Sequence, residues 1–332
     1  MYETANTNRI GLVGGLYLRF RTSRPSACFA RRPIKRLMLR SSSVLSVPPV
    51  KPFPPQEFRG LSPTTIPSVK RTALITGASS GIGEAFAEVF AAEGFDLAIA
   101  ARREDRLQAV ADRLRTKYGI RVEVFVADLS RRDAVEQLCA QIAARGLHVD
   151  ALVNNAGYGV PGSYTSSPWQ RHDEFLQVLV TAVCELTYRL LPGMVERGYG
   201  RIINIASVAG LVPAPAGHTL YGASKAFLIK FSEALSNEVR RHNVHVTALC
   251  PGFTWSEFHD VTGTRAQMKA LPRWMWLDAA TVARQGFDAV MTGQATYVNG
   301  RVYRTIVALV RYLPQWLVYS VGRRVGRSYR KA

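Results

Sequence analysis

Six short apolar runs alternate along this chain with five longer runs of helical period, all between Thr72 and Cys250. The strand-like runs are Thr72–Thr76, Leu97–Ala101, Val122–Ala127, Ala151–Asn154, Arg201–Ala206 and Val244–Cys250. Helical patterns fill the intervals at Gly83–Glu93, Glu104–Tyr118, Arg132–Ala144, Phe175–Glu196 and Gly222–Arg240. Alternation at these lengths leaves little choice. Strands joined by helices run parallel, and the helices cover both faces of one sheet. The predicted fold is α/β, a doubly wound parallel sheet in one domain over residues 70–300, and such sheets bind ligands at the carboxyl ends of their strands, where strand order reverses.

The two ends of the chain have another character. Residues 1–69 are Arg-rich and acid-poor, with the run Ser41-Ser42-Ser43 and a proline-rich stretch from Pro48 to Pro67, so a disordered leader is expected. The composition is that of an organelle transit peptide, but an upstream extension from a misplaced start codon is the favoured reading. The formal charge of +19 also sits at the ends. Residues 1–70 carry twelve Lys/Arg against Glu3 and Glu57, residues 301–332 carry eight and no acid, and the body balances 23 bases against 22 acids. A nearly neutral body argues against a nucleic-acid partner. Cys28, Cys139, Cys184 and Cys250 are scattered without CxxC spacing, so neither a disulfide framework nor a metal site is expected.

Residues 301–332 form a basic amphipathic segment. In 303–324, Arg304, Arg311 and Pro314 interrupt the apolar run, which therefore suits peripheral contact with an anionic membrane, a cover for the pocket or a subunit interface, and does not span a bilayer. A cytoplasmic location is expected, membrane-associated if the tail binds lipid and mitochondrial if the leader is a genuine transit peptide.

At the first strand–helix junction the chain reads Thr76-Gly77-Ala78-Ser79-Ser80-Gly81-Ile82-Gly83. Glycines permit the tight turn and let backbone amides at a helix N-terminus approach a pyrophosphate. At the end of the second strand the run Ala100-Ala101-Arg102-Arg103 has no acid before Glu104. An acid there would bind a ribose 2′-hydroxyl and repel a 2′-phosphate; Arg102, with Arg103 or Ser79, is placed to pair with the phosphate instead. NADP(H) is therefore expected over NAD(H), the alternative being two solvated arginines at a helix start.

A second motif carries acid–base chemistry. Tyr221 and Lys225 stand four apart on one predicted helix, and Ser207 lies fourteen residues upstream at a strand end. Reducing a carbonyl by hydride leaves an alkoxide to be protonated. A phenol near pKa 10 serves that purpose when a nearby ammonium favours its ionised form.

With Asn154-Asn155-Ala156-Gly157 between these motifs and Pro251-Gly252 after them, the chain from about residue 70 to 260 resembles the short-chain dehydrogenase/reductase family. The resemblance implies that Tyr221 donates or accepts the proton, that Ser207 orients the carbonyl, and that Lys225 assists Tyr221 and binds the nicotinamide ribose. It implies further cofactor contacts from Gly77, Ser79, Ser80, Gly81, Ile82, Gly83, Asp128, Leu129, Asn155, Ala156, Gly157, Pro251, Gly252 and Thr254, with Ser256 a second candidate beside Thr254. It also implies a proton relay through an Asn of the long helix, and here Leu179 falls at that place. The region after Pro251 would form a substrate lid, and Phe253, Trp255, Phe258, Met268, Leu271, Trp274, Met275, Trp276 and Leu277 make that lid apolar. A hydrophobic small-molecule carbonyl or alcohol is expected as substrate, fatty-acyl, retinoid or steroid-like, with a homo-oligomer as the assembly. The alternative is a dinucleotide-binding sensor or scaffold without catalysis.

Overall fold

The computed structural model describes residues 70–160, 162–214, 216, 217, 219–257, 272–314, 316 and 320. The expected leader, the lid residues Phe258, Met268 and Leu271, and most of 315–332 lie outside the described residues. Seven strands form one parallel sheet in the order β3-β2-β1-β4-β5-β6-β7. They are β1 (Thr72–Thr76), β2 (Asp96–Ala101), β3 (Val122–Val126), β4 (Val149–Asn154), β5 (Gly200–Ile205), β6 (Val244–Cys250) and β7 (Thr296–Val298). The order reverses between β1 and β4, and this opens a crevice at their carboxyl ends.

Helices α1 (Gly81–Ala92), α2 (Glu104–Tyr118), α3 (Ala134–Ala144), α4 (Trp169–Leu176), α5 (Ala182–Glu196), α6 (Thr219–Val239), α7 (Ala279–Met291) and α8 (Arg301–Tyr312) complete the described fold. Their apolar positions recur every three or four residues. In α2, Leu107, Val110, Ala111 and Leu114 are buried and the other faces are charged, and Gly119 ends the helix in the left-handed region at φ 63°. On one side of the sheet, Phe90 meets Phe95 and Phe287 edge-on at 5.1 and 5.0 Å, which packs α1 against α7. The other side holds a second core around Phe125, Leu138, Leu152, Phe175 and Leu186.

The long helix expected at Phe175–Glu196 begins earlier and is not uniform. A π-helical turn, Gln177–Thr181, joins α4 to α5, and it contains Leu179. Among the described residues, Trp169–Glu196 is the one helix long and apolar enough to cross a membrane. Its Phe175, Leu179, Ala182 and Leu186 are buried in the core on the sheet, so its apolar face is already occupied.

Strand β7 and helix α7 were absent from the sequence-based pattern. The strand has only three residues, all half-buried, and three residues are too few to show an alternation.

Beneath the crevice a polar chain crosses the sheet. Asn154 and Asn204 face each other on β4 and β5, with Nδ2 of Asn154 donating to Oδ1 of Asn204 at 2.9 Å. Nδ2 of Asn204 donates to Ser232 Oγ on α6 at 2.9 Å. These groups are buried, so a bond removed is not replaced by water, although Asn154 Nδ2 keeps Thr187 Oγ1 at 3.4 Å and Ser232 Oγ keeps the Leu228 carbonyl at 2.7 Å. Asn204→Ala is expected to cost about 2–3 kcal/mol in urea unfolding, and Ser232→Ala less, because it orphans only one amide.

Candidate active site

The crevice is shaped by one hydroxyl and one amide. Thr76 Oγ1, at the end of β1, accepts from the backbone amides of Asn155 and Ala156 at 3.0 and 3.1 Å and donates to the Val153 carbonyl at 3.2 Å. Asn155 Nδ2 returns the contact, donating to the carbonyls of Thr76 and Gly77 at 2.9 and 3.2 Å. The end of β4 is thereby bolted to the start of the glycine turn. Asn155, expected to touch a cofactor, spends its amide on shaping the turn. Thr76 was read only as a strand end, and its hydroxyl gave no sign of this role.

Gly77 and Gly81 take φ of 67° and 59°, and a side chain on Gly77 would come within 2.8 Å of Asn155 Nδ2. At Gly83 a side chain would collide with the Gly77 carbonyl. Ser80 caps α1 in extended conformation without a side-chain bond to the first amides. Those amides and their partial positive charge therefore remain available to an anion. The turn fits the pyrophosphate of a dinucleotide.

Two arginines follow β2, and the structure separates them. Arg103 lies across the turn, its Nη2 donating to Ser79 Oγ and Ser80 Oγ at 3.1 and 3.0 Å. Arg102, expected to pair with a 2′-phosphate, is exposed. It lies near the phenol of Tyr158, which burial and then Glu174 push up and which Arg102 draws down. Asp128 Oδ1 accepts from the amide and the hydroxyl of Ser130 at 3.1 and 2.8 Å, a local turn, while Leu129 is buried.

Ser207, at the end of β5, meets Tyr221 and Lys225, which stand one turn apart on α6. Ser207 follows β5 and opens a short 3₁₀ turn, its Oγ accepting from the Ala209 amide at 3.1 Å. That turn presses on α6 at Gly210, where any side chain would come within 2.7 Å of the Lys225 and Ala226 backbone. Gly210 is a site-shaping residue that the motifs did not mark. Ser207 hydrogen-bonds the Tyr221 phenol, and Lys225 Nζ donates to the Ile205 carbonyl at 2.7 Å, 5.6 Å from the Tyr221 ring centroid.

The electrostatics differ from the expectation that the ammonium lowers the phenol's pKa. Burial pushes Tyr221 up, and it is Ser207 that opposes the rise. Burial also pulls Lys225 from an ordinary 10.5 down to about 8, against the influence of the Cys250 thiol, itself pushed up to about 12 by burial. Each group is made easier to hold neutral.

Leu179 is 1% exposed and packs against Gly157, so no polar group enters the site from that position. A small cleft of about 10 Å³ opens beside Tyr221, lined by Val160, Tyr164, His172, Phe175 and Leu220 among others. The loop after Pro251 forms a short bridge with the chain before α7. Thr254 pairs with Leu277, and Trp255 stacks on Trp276 at 4.1 Å. Thr254 Oγ1 donates to the Gly252 carbonyl at 3.1 Å and Ser256 Oγ lies 3.5 Å from the Thr254 carbonyl, so both hydroxyls point back into the loop. Trp255 and Trp274 are 47% and 64% exposed, too open to be core filling.

A glycine turn at the reversal point of a parallel sheet, with a serine, tyrosine and lysine gathered across the crevice, defines a dinucleotide-dependent oxidoreductase. The sequence signature of the short chain dehydrogenase family matches residues 71–266, and the chain belongs to that family, whose members bind a nicotinamide dinucleotide and act on carbonyl and alcohol groups. The chain is similar to nodulation protein G of Rhizobium sp. (strain N33), 39% identical over 239 residues that cover 69% of this chain and 96% of the relative. It is 31% identical to the very-long-chain 3-oxoacyl-CoA reductase of Bos taurus over 265 residues, 78% of this chain and 80% of that one. A short-chain dehydrogenase from Sphingobium yanoikuyae in complex with NADPH superposes with a TM-score of 0.64 at 30% identity, covering 74% of this chain and 97% of the other.

The Lys225 shift sets a pH dependence. Between about 8 and 10.5 the unfolded lysine binds more proton than the folded one, so stability rises with pH in that window. Relative to Lys225→Met, the wild-type protein is expected to gain about 3 kcal/mol from pH 7 to pH 10.5, read as the difference in urea unfolding free energy. A flat difference removes the buried-ammonium assignment.

Proposed function

We propose that the protein is an NADP(H)-dependent reductase of hydrophobic carbonyl compounds, with long-chain 3-oxoacyl thioesters as the first class to test. The observation that carries the reading is the meeting of Ser207, Tyr221 and Lys225 beside a small cleft. When bound, the cofactor supplies or accepts the hydride. Ser207 Oγ holds the substrate oxygen next to the Tyr221 hydroxyl, which delivers the proton as negative charge develops on that oxygen. Tyr221 is held protonated, as a donor must be, and the low pKa of Lys225 lets a proton pass from its ammonium near neutral pH. Arg102 and Arg103, with no acid at the end of β2, favour a 2′-phosphate. The name of the bovine relative and the exposed tryptophans of the loop after Pro251 favour a long apolar substrate.

The assay follows NADPH absorbance with ketones and 3-oxoacyl thioesters graded by chain length. Tyr221→Phe is expected to lower kcat by about 10²–10⁴-fold while the NADPH Kd stays within about twofold. Activity retained in that variant would refute the tyrosine's role. Tight NADPH binding without turnover of any carbonyl would leave a dinucleotide sensor.

Peripheral membrane contact through α8 has its own support. Val302, Leu309, Leu313 and Trp316 are 37%, 55%, 41% and 71% exposed, next to Arg301, Arg304 and Arg311. Tyr303 of the same helix is buried, its hydroxyl donating to the Met275 carbonyl at 2.6 Å and accepting from the Phe253 amide at 3.1 Å. A test must therefore spare Tyr303. Leu309→Ser with Leu313→Ser and Trp316→Ser is expected to cut sedimentation with phosphatidylserine vesicles by more than about tenfold, given the apolar area removed; unchanged sedimentation ends the membrane reading.

A further inference from the structure

Glu257 stands in an unusual place for a carboxylate. It follows the bridged loop, and the chain just before it lies on the glycine turn: a side chain built on Gly81 would come within 2.9 Å of Ser256 Cβ. Its Oε2 receives Nη1 of Arg103 at 2.9 Å, and its Oε1 receives Nη1 of Arg106, one turn further along α2. The Arg103 guanidinium is thus committed on both sides, with Nη1 on Glu257 and Nη2 on Ser79 and Ser80. The Arg103 contact, with those of Arg106 and Ser80, holds the carboxyl below the usual carboxylate range, so it is ionised at neutral pH. Glutamate and arginine are 38% and 40% exposed, and the pair can separate without unfolding anything.

An anion is therefore already seated on the cation that a 2′-phosphate would use. A phosphate dianion arriving at Ser79, Ser80 and Arg103 would meet a like charge within a few ångströms. Arg106 offers the carboxylate somewhere to stay, because it holds the other oxygen from the solvent side of α2.

We propose that Glu257 is an internal competitor for the 2′-phosphate of the cofactor: it keeps Arg103 on the glycine turn until a 2′-phosphorylated dinucleotide displaces it onto Arg106. This deepens the NADP(H) reading and rests on it. Glu257 then sets cofactor discrimination from the opposite side to the arginines. It lowers affinity for NADP(H) and leaves NAD(H), which has no 2′-phosphate, almost untouched. The arrangement also limits how firmly an empty site can hold other phosphorylated metabolites, since each must first break the same ion pair.

The experiment is a fluorescence titration of NADPH and NADH into the full chain and two variants, with melting midpoints recorded alongside. Both substituted side chains are more than a third exposed, so folding is preserved. Glu257→Gln is expected to tighten NADPH about three- to fivefold, the scale of an exposed ion pair, with NADH within about twofold. Arg106→Gln is expected to weaken NADPH by a similar factor, because the carboxylate then has only Arg103 to hold. Opposite signs in the two variants support the exchange. If Glu257→Gln weakens NADPH binding or leaves it unchanged while wild type still prefers NADPH, Glu257 is a prop for Arg103 and the exchange is overturned. A wild-type preference for NADH instead overturns the NADP(H) reading itself.

Discussion

The bond between Thr76 and the Asn155–Ala156 backbone is the constraint on which the rest of the site depends. It joins the last residue of β1 to the first residues past β4, the two strands between which the sheet reverses direction. Everything that would touch a cofactor is placed relative to that joint. The glycine turn leaves β1 on one side, the Ala156–Gly157 loop leaves β4 on the other, and Asn155 closes the gap by holding two carbonyls of the turn. A parallel sheet generates a crevice wherever its order reverses. Here the crevice is given a fixed width by five hydrogen bonds from two side chains, and the anion-binding amides of α1 face a wall that cannot recede.

Burial governs the opposite side of the crevice. An ammonium four residues from a phenol is expected to lower the phenol's pKa, but that argument assumes both groups are well solvated or in direct contact. Lys225 is 7% exposed and its amine is committed to the Ile205 carbonyl, while Ser207 is the group that contacts Tyr221. Desolvation then outweighs mutual attraction for both residues, raising the one and lowering the other. Both groups are thereby shifted toward their neutral forms, the phenol upward and the amine down to about 8. The same trio read from spacing alone would suggest a phenolate poised as base. The difference lies in the environment, which spacing does not encode.

This marks the limit of what was legible in the chain. Alternating periods of two and 3.6 were enough for the parallel sheet, and α2 and β6 begin and end where the pattern put them. Glycine positions, the serine–tyrosine–lysine set and the two arginines were visible because their chemistry depends on residue type at short spacing. Thr76, Gly210 and Glu257 were not. Their parts come from contacts across 79, 15 and 154 residues of chain, and a threonine at a strand end or a glutamate in a loop has no local signature for such a contact. The different surroundings of Arg102 and Arg103 were not legible for a related reason. Consecutive residues leaving a strand point to opposite sides, so one arginine covers the turn and the other the Tyr158 side. The π-helical turn at Leu179 was also invisible, since its apolar run reads as continuous helix.

Tyr303 extends the same logic to the end of the chain. Its ring lies so close to Gly252 that no other residue could stand there, and its hydroxyl bonds both arms of the bridged loop, at Phe253 and at Met275. The first turn of α8 is therefore fastened to the segment that carries Thr254, Trp255 and Glu257. A force or contact on the exposed apolar side of α8 is transmitted to that loop through one aromatic ring, not through a flexible linker. Trp255 and Trp276, stacked on the two arms of that loop, are therefore held in a fixed relation to the helix. The Gly252–Tyr303 contact ties the position of α8 to that of the bridged loop, which separates this C-terminal segment from a simple basic tail.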